Sequence, residues 1–168
     1  MLKKTKYMAI GDTSRDLKLE DGKGIITEVN EYTYFGVKIN KDGNHKPEFY
    51  DIINRGRSDI TRLNSILWER DMTPKTKTPI YYEIVKSTIT YSAETWCLKS
   101  KTVGKLNSTE MDFRRRSVRI SWKDKIRKNT IIQEMNVTKS LLEDIKAEQL
   151  KWYRYVQRIE EGRLPKKL

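Results

Sequence analysis

At Pro47 the apolar residues change their period, and that change restricts the chain to a fold of mixed kind. Before it, short runs alternate. "KTKYMAI" sets Thr5, Tyr7 and Ala9 on one side, and "LKLEDGKGIITEV" carries Asp21 to Gly24 as a turn between two runs. "EYTYFGVKI" follows, rich in aromatic and β-branched residues, and "NKDGNHKP" closes the region. After it, Phe49, Ile52, Ile53, Gly56, Ile60, Leu63 and Leu67 recur at steps of three and four, with Pro47 suited to a first helical turn and "DMTPKTKTP" to a stop. The expected class is α+β, mainly α: a small N-terminal antiparallel β-meander over 1–46, then four to six helices. A meander this small needs a helix or a second lobe against its apolar face.

A second helix is expected to open at Pro79, with Ile80, Ile84, Thr88 and Tyr91 on one face, giving an antiparallel helical pair over 47–100. Residues 101–168 form a third, basic helical region. Its first helix should run from near Thr102 to about Ile120. With Leu106 at zero on a wheel advancing about 100° per residue, Glu110, Phe113, Ser117 and Ile120 fall within about 40° of it. Met111 and Val118 form a second apolar stripe. Lys105, Arg115, Arg116 and Arg119 share the opposite arc, and Lys123, Arg127 and Lys128 follow. The last helix shows a capping box, Ser140 with Glu143, and continues through Leu142, Ile145, Trp152, Val156 and Ile159 until Gly162 and Pro165 end it.

The net charge is +12, and residues 113–168 carry sixteen basic against seven acidic side chains. Such a balance favours a polyanionic partner, either nucleic acid or an acidic membrane surface. The basic helix has two narrow apolar stripes and no broad apolar face, which argues against the membrane. Arginine on the basic arc favours phosphate, which its planar fork grips in bidentate fashion; a merely solvated face is the alternative. Trp122 is expected in the core rather than stacked on a base, and "EYTYFGV" taken alone reads as an ordinary buried strand. "YSAETW" reads as a corner at the end of a helix.

Other chemistry finds little support. Cys97 is the lone cysteine and His45 the lone histidine, so no zinc spacing exists, and no Asp-Asp pair is available to seat two metal ions. No nucleophile elbow or phosphate-cradling glycine loop is present, and no cofactor is expected for this chain. "MLKKTKYMAI" lacks the apolar run of a signal peptide or membrane span, which gives the expectation of an intracellular protein, cytoplasmic or nuclear, without membrane contact.

Taken in order, "KKTKYM", "YTYFGV", "YSAETW", "MDFRRRSVRISWKDKIRKN" and "LKWYRYVQRIEEGRLPKK" resemble the C-terminal part of the reverse transcriptase of insect-type LINE, or non-LTR, retrotransposons. The resemblance covers nearly the whole chain. It implies a palm edge over 1–46, a thumb-like hairpin over 47–100 and a basic C-terminal connection. It implies that Lys4 stands where the family has the motif D lysine, assigned a proton-donating role toward pyrophosphate. Tyr34, Phe35 and Gly36 match the primer grip, the hairpin that holds the growing 3′ end. The family's metal-binding Asp pair belongs upstream of Met1, so Mg2+ is expected only for a full-length polymerase. The implied partners are an RNA or DNA template-primer and the N-terminal part of the enzyme. Arg154 and Tyr155 replace a common Gly-His, and Ser92 and Ala93 a frequent Gly-Cys.

The expected function is that of a reverse-transcriptase segment that holds nucleic acid through Lys105, Arg115, Arg116, Arg119, Lys123, Arg127 and Lys128 without polymerising. Two alternatives remain. "TIIQEMNVTKSLLEDI" is a possible helix-turn-helix of a sequence-tolerant binding module, although the first turn after Ser140 offers Leu141, Leu142, Glu143 and Asp144 rather than base-reading side chains. Trp152, Val156 and Ile159 would instead dock on another chain in a helical interaction protein.

Overall fold

The change of period at Pro47 is where strands give way to helices: the last strand ends at Asn40 and the first helix begins at Lys46. The computed structural model describes residues 5–9, 17–18, 25–44 and 46–160. The chain divides into two compact units, Met1–Tyr50 and Asp51–Leu168. The class is α+β, mainly α.

In the first unit the strands are β1 (Lys6–Tyr7), β2 (Leu17–Lys18), β3 (Ile25–Glu28), β4 (Glu31–Tyr34) and β5 (Val37–Asn40). They do not form one continuous meander. β2 runs antiparallel to β3, with Leu17 opposite Ile26, while β1 lies parallel along the other side of β3, with Lys6 opposite Thr27. Parallel pairing requires a long connection, and seventeen residues separate Tyr7 from Ile25. β4 and β5 form a separate antiparallel hairpin, with Tyr34 opposite Val37. Its two-residue turn places Phe35 at φ 47° and Gly36 at φ 78°. Both central residues of a type I′ turn need positive φ, which glycine meets freely and Phe35 only with strain. The Lys38 N–H donates to Glu48 Oε2 at 2.8 Å, tying this hairpin to the start of the next helix.

The six helices among the described residues are α1 (Lys46–Arg62), α2 (Asn64–Trp68), α3 (74–90), α4 (Ser100–Ser117), α5 (Lys128–Met135) and α6 (Leu141–Arg158). The ladder read after Pro47 is buried as expected, at Phe49, Ile52, Ile53, Ile60 and Leu67, and breaks at Leu63, which caps α2. α1 meets α3 at Gly56, where an added Cβ would stand 2.6 Å from Ile89 Cγ1. Glycine is required there by close approach. One turn further on, the Thr88 hydroxyl donates to Asp59 Oδ2 at 3.0 Å.

α3 departs from the sequence reading. It opens at Pro74, capped by the Thr73 side chain, and Pro79 lies inside it. The buried series is Lys77, Tyr81, Val85 and Ile89, whereas Ile84 and Tyr91 of the expected face are exposed. Proline at 79 withholds the N–H that would reach the Lys75 carbonyl, and residues Tyr81–Lys86 follow as a π-helix. A spacing of four advances about 40° around an α-helix; the wider π turn opposes that advance, so residues four apart stay in line.

α4 is buried along Leu106, Glu110, Phe113 and Ser117, the face expected from its wheel. Lys77 is fully buried and donates from Nζ to three carbonyls: Leu67 at 2.6 Å, Glu69 at 2.9 Å and Ser117 at 3.2 Å. One ammonium thus serves the carboxyl ends of α2 and α4 together, where cations are favoured. α6 starts with the expected capping box: Glu143 Oε2 accepts the Ser140 N–H at 2.7 Å, and Ser140 Oγ accepts the Glu143 N–H at 3.3 Å. Gly162 and Pro165 lie outside the described residues. No helix among the described residues is long and apolar enough to cross a membrane.

Candidate nucleic-acid interface

α4 ends in a Schellman motif, and that ending creates the most chemically suggestive surface of the second unit. The Ile120 N–H returns to the Arg115 carbonyl at 2.9 Å and the Arg119 N–H to the Arg116 carbonyl at 3.0 Å, with Arg119 left-handed at φ 59°. The chain then makes a short 3-10 turn, Trp122–Asp124, held by a second capping box: Asp124 Oδ2 accepts the Ser121 N–H at 2.6 Å, and Ser121 Oγ accepts the Lys123 N–H at 3.2 Å. Left-handed Lys125, at φ 52°, reverses it toward α5.

Between this turn, α4 and α2 lies an open groove of about 990 Å³. Asn64 and Trp68 of α2 form one wall, with Arg57 of α1 beside them. Asn107, Ser108, Met111, Asp112, Arg115 and Arg116 of α4 form the floor, and Trp122 and Lys128 the far wall. A second hollow of about 450 Å³, lined by Arg115, Trp122, Lys123, Lys125 and Ile126, adjoins the other side of the turn.

Trp122 is not in the core: 82% of its surface is exposed. The cap that fixes the 3-10 turn holds the indole outward, and the Arg115 guanidinium lies 5.3 Å from its ring centroid. Nor do the arginines make an unengaged outward fan. Arg115 Nη2 donates to the Ile126 carbonyl at 2.9 Å, while its Nη1 is shielded and has no acceptor among the described residues. Arg116 donates from Nε to Asp112 Oδ1 at 3.0 Å and from Nη1 to Asn64 Oδ1 at 2.7 Å. Arg119 lies beyond the end of the helix and donates to the Arg70 carbonyl at 3.1 Å.

Of the residues expected to bind nucleic acid, Arg115, Arg116 and Lys128 line the groove and Lys123 lines the adjoining hollow. Lys105, Arg119 and Arg127 line neither; Lys105 is half-buried on α4, and Arg127 is exposed at the start of α5. Tyr34, Phe35 and Gly36 form the tip of the β4–β5 hairpin, and "EYTYFGV" is no buried strand. Phe35 is 76% exposed, with its ring edge-on to Tyr34 at 4.5 Å between centroids. Lys4 lies outside the described residues.

Arg57, Asn64, Trp68 and Asn107 join the groove from positions that no motif had singled out. They are brought together by packing of α1 and α2 against α4, with Arg57 Nε donating to Thr109 Oγ1 at 3.2 Å. Arg114, counted in the basic run, turns inward instead. Its Nη2 pairs with Glu110 Oε1 at 2.7 Å and reaches the Lys139 carbonyl at 3.3 Å, and the same Glu110 oxygen accepts the Leu141 N–H at 2.9 Å. Burial pushes the Glu110 carboxyl above its usual range, against the pull of Arg114 and of the Leu141 N–H. Burial likewise raises the Tyr81 phenol, with Glu110 adding to the rise.

Of the surfaces that the other readings need, the start of α6 is occupied and the Trp152 stripe is only partly open, since Val156 and Ile159 are half-buried. The first turn of α6 is engaged within the fold, through Leu141 and through a 2.7 Å ion pair between Asp144 and Lys86. Further along α6, Leu150, Trp152, Tyr153 and Tyr155 are exposed. The "YSAETW" corner turns at left-handed Ser92 and is held by Gln149 of α6, whose Nε2 donates to the carbonyls of Ala93 at 3.2 Å and Trp96 at 2.8 Å. Among the described residues no group of three or more His, Cys, Asp or Glu is placed to hold a metal ion.

No family model, curated protein or solved structure matches the chain.

Proposed function

We propose that the chain is a nucleic-acid-holding segment of a reverse transcriptase of the LINE type, gripping an RNA or DNA template-primer through the surface around the end of α4. The observation that carries this reading is the groove itself. It combines Arg57, Arg115, Arg116 and Lys128 with two accessible indoles, Trp68 and Trp122, in a chain of net charge +12. The ordered motifs support the family reading, and the exposed aromatic tip at Tyr34 and Phe35 suits a primer grip. The role proposed for these residues is grip rather than chemistry.

The test is salt-dependent binding to labelled oligonucleotides. Lys123, Arg127 and Lys128 are exposed, so their replacement by alanine together leaves the core alone. The wild type is expected to lose affinity steeply with salt, by about 0.9 log units per log unit of salt for each duplex phosphate neutralised. The triple variant should bind more weakly and with a shallower slope. Unchanged affinity and slope would remove this surface from the proposed function.

A further inference from the structure

We propose that the groove at the end of α4 is a site for unpaired nucleotides, with the indole of Trp122 stacking on a base. This rests on the nucleic-acid reading above and narrows the contact at this groove to the unpaired part of the template-primer.

Three observations converge on Trp122. First, a tryptophan with 82% of its surface in solvent forgoes the stabilisation that burial would bring, so the fold does not explain its position. Second, the ring is presented on a fixed mount. The 3-10 turn that carries it is closed by the Ser121–Asp124 capping box, and Arg115 backs the ring while anchored to the Ile126 carbonyl. Such a platform has little freedom left to lose on binding. Third, Trp122 and Arg115 line both hollows, about 990 Å³ and about 450 Å³, so the indole is a partition between two basic cavities.

The chemistry of the walls selects the ligand. A duplex turns phosphates outward and hides the faces of its bases in its own stack, so an indole on a protein surface has nothing to stack on. An unpaired strand offers those faces at every nucleotide. Lys128 on one side of the partition and Lys123 on the other stand where the phosphates of successive nucleotides would pass, and Asn107 and Ser108 offer donors and acceptors for a base edge. The larger hollow is at the upper end of the roughly 300–1,000 Å³ that ligand pockets occupy.

The experiment compares three labelled probes of equal phosphate number by fluorescence anisotropy at one salt concentration: oligo(U) RNA, oligo(dT) DNA and a fully paired hairpin whose stem is closed by a non-nucleotide linker. The wild-type chain is expected to bind both single strands at least about tenfold tighter than the hairpin. Trp122→Ala should weaken single-strand binding by about 5- to 100-fold and leave hairpin binding and the melting temperature unchanged, while Trp122→Phe retains most of the affinity. Equal binding of all three probes, or loss on Trp122→Ala that is equal for hairpin and single strands, would overturn the stacking site while leaving a backbone-gripping surface intact. Failure of the wild type to bind any probe would overturn both the site and the function on which it rests.

Discussion

Glu110, in the middle of α4, accepts the first backbone N–H of α6, that of Leu141, on the same carboxylate oxygen that pairs with Arg114. One side chain thereby caps a distant helix and neutralises a buried guanidinium. The pair and its helix start are a single buried network, in which each member satisfies groups the others cannot reach.

Glu110→Ala should therefore cost about 3–5 kcal/mol, because Arg114 would remain buried without a counter-charge. Urea unfolding at neutral pH measures it. The double variant Glu110→Ala, Arg114→Met should recover a large part of the loss, since the stranded charge goes with its partner.

At Gly56 the usual helix rule reverses. Alanine in place of glycine in an exposed helix interior gains up to about 1 kcal/mol, but here the new methyl group meets Ile89, itself fully buried. Gly56→Ala is expected to destabilise by about 1–3 kcal/mol through overpacking. In an Ile89→Ala background the same substitution should become neutral or favourable, which a double-mutant cycle by denaturant titration would read directly.

Lys77→Met would leave the Leu67, Glu69 and Ser117 carbonyls without their donor, at a cost of about 1–3 kcal/mol. Burial, helped by the nearby charge of Arg119 and opposed by Glu69, holds the Lys77 ammonium below its ordinary 10.5. Between the lowered folded value and 10.5 the unfolded chain binds more protons at this position, so the contribution of Lys77 to stability rises with pH across that window. The gap in stability between wild type and Lys77→Met should widen as the pH is raised toward 10.5. A gap that narrows would contradict the assignment.

The Tyr81 hydroxyl is buried with no hydrogen-bond partner among the described residues, while its ring packs on Phe113 with 4.7 Å between centroids. Tyr81→Phe should keep that packing and remove the orphaned group. A rise in stability of about 1 kcal/mol is expected, visible as a higher melting temperature.

Much of this fold is legible in the residues. The faces of α1 and α4 follow from apolar spacing, because Ile52, Ile53 and Ile60, and Leu106 and Phe113, bury what their periods predict. Spacing fails where a charged group is buried. Lys77 is completed by carbonyls of two other elements and Arg114 by Glu110, and neither partnership leaves a mark on hydrophobic periodicity. It fails again at Trp122, where a local capping box outweighs the tendency of a large ring to go inside. The candidate site was half visible. Arg115, Arg116 and Lys128 lie on one continuous stretch of sequence, but Arg57, Asn64 and Trp68 reach the groove only because α1 and α2 are folded back upon α4.

The π turn at Tyr81–Lys86 acts as a one-residue insertion absorbed into a helix without a loop. If the same residues wound as ordinary α-helix, with none removed, everything downstream would swing by about 100°, rather more than a quarter turn. The strip from Lys77 to Ile89 would split in two, and the Ala93 and Trp96 carbonyls would rotate out of reach of Gln149. The irregular stretch of α3 is therefore what keeps the beginning of that helix and the corner beyond it in phase.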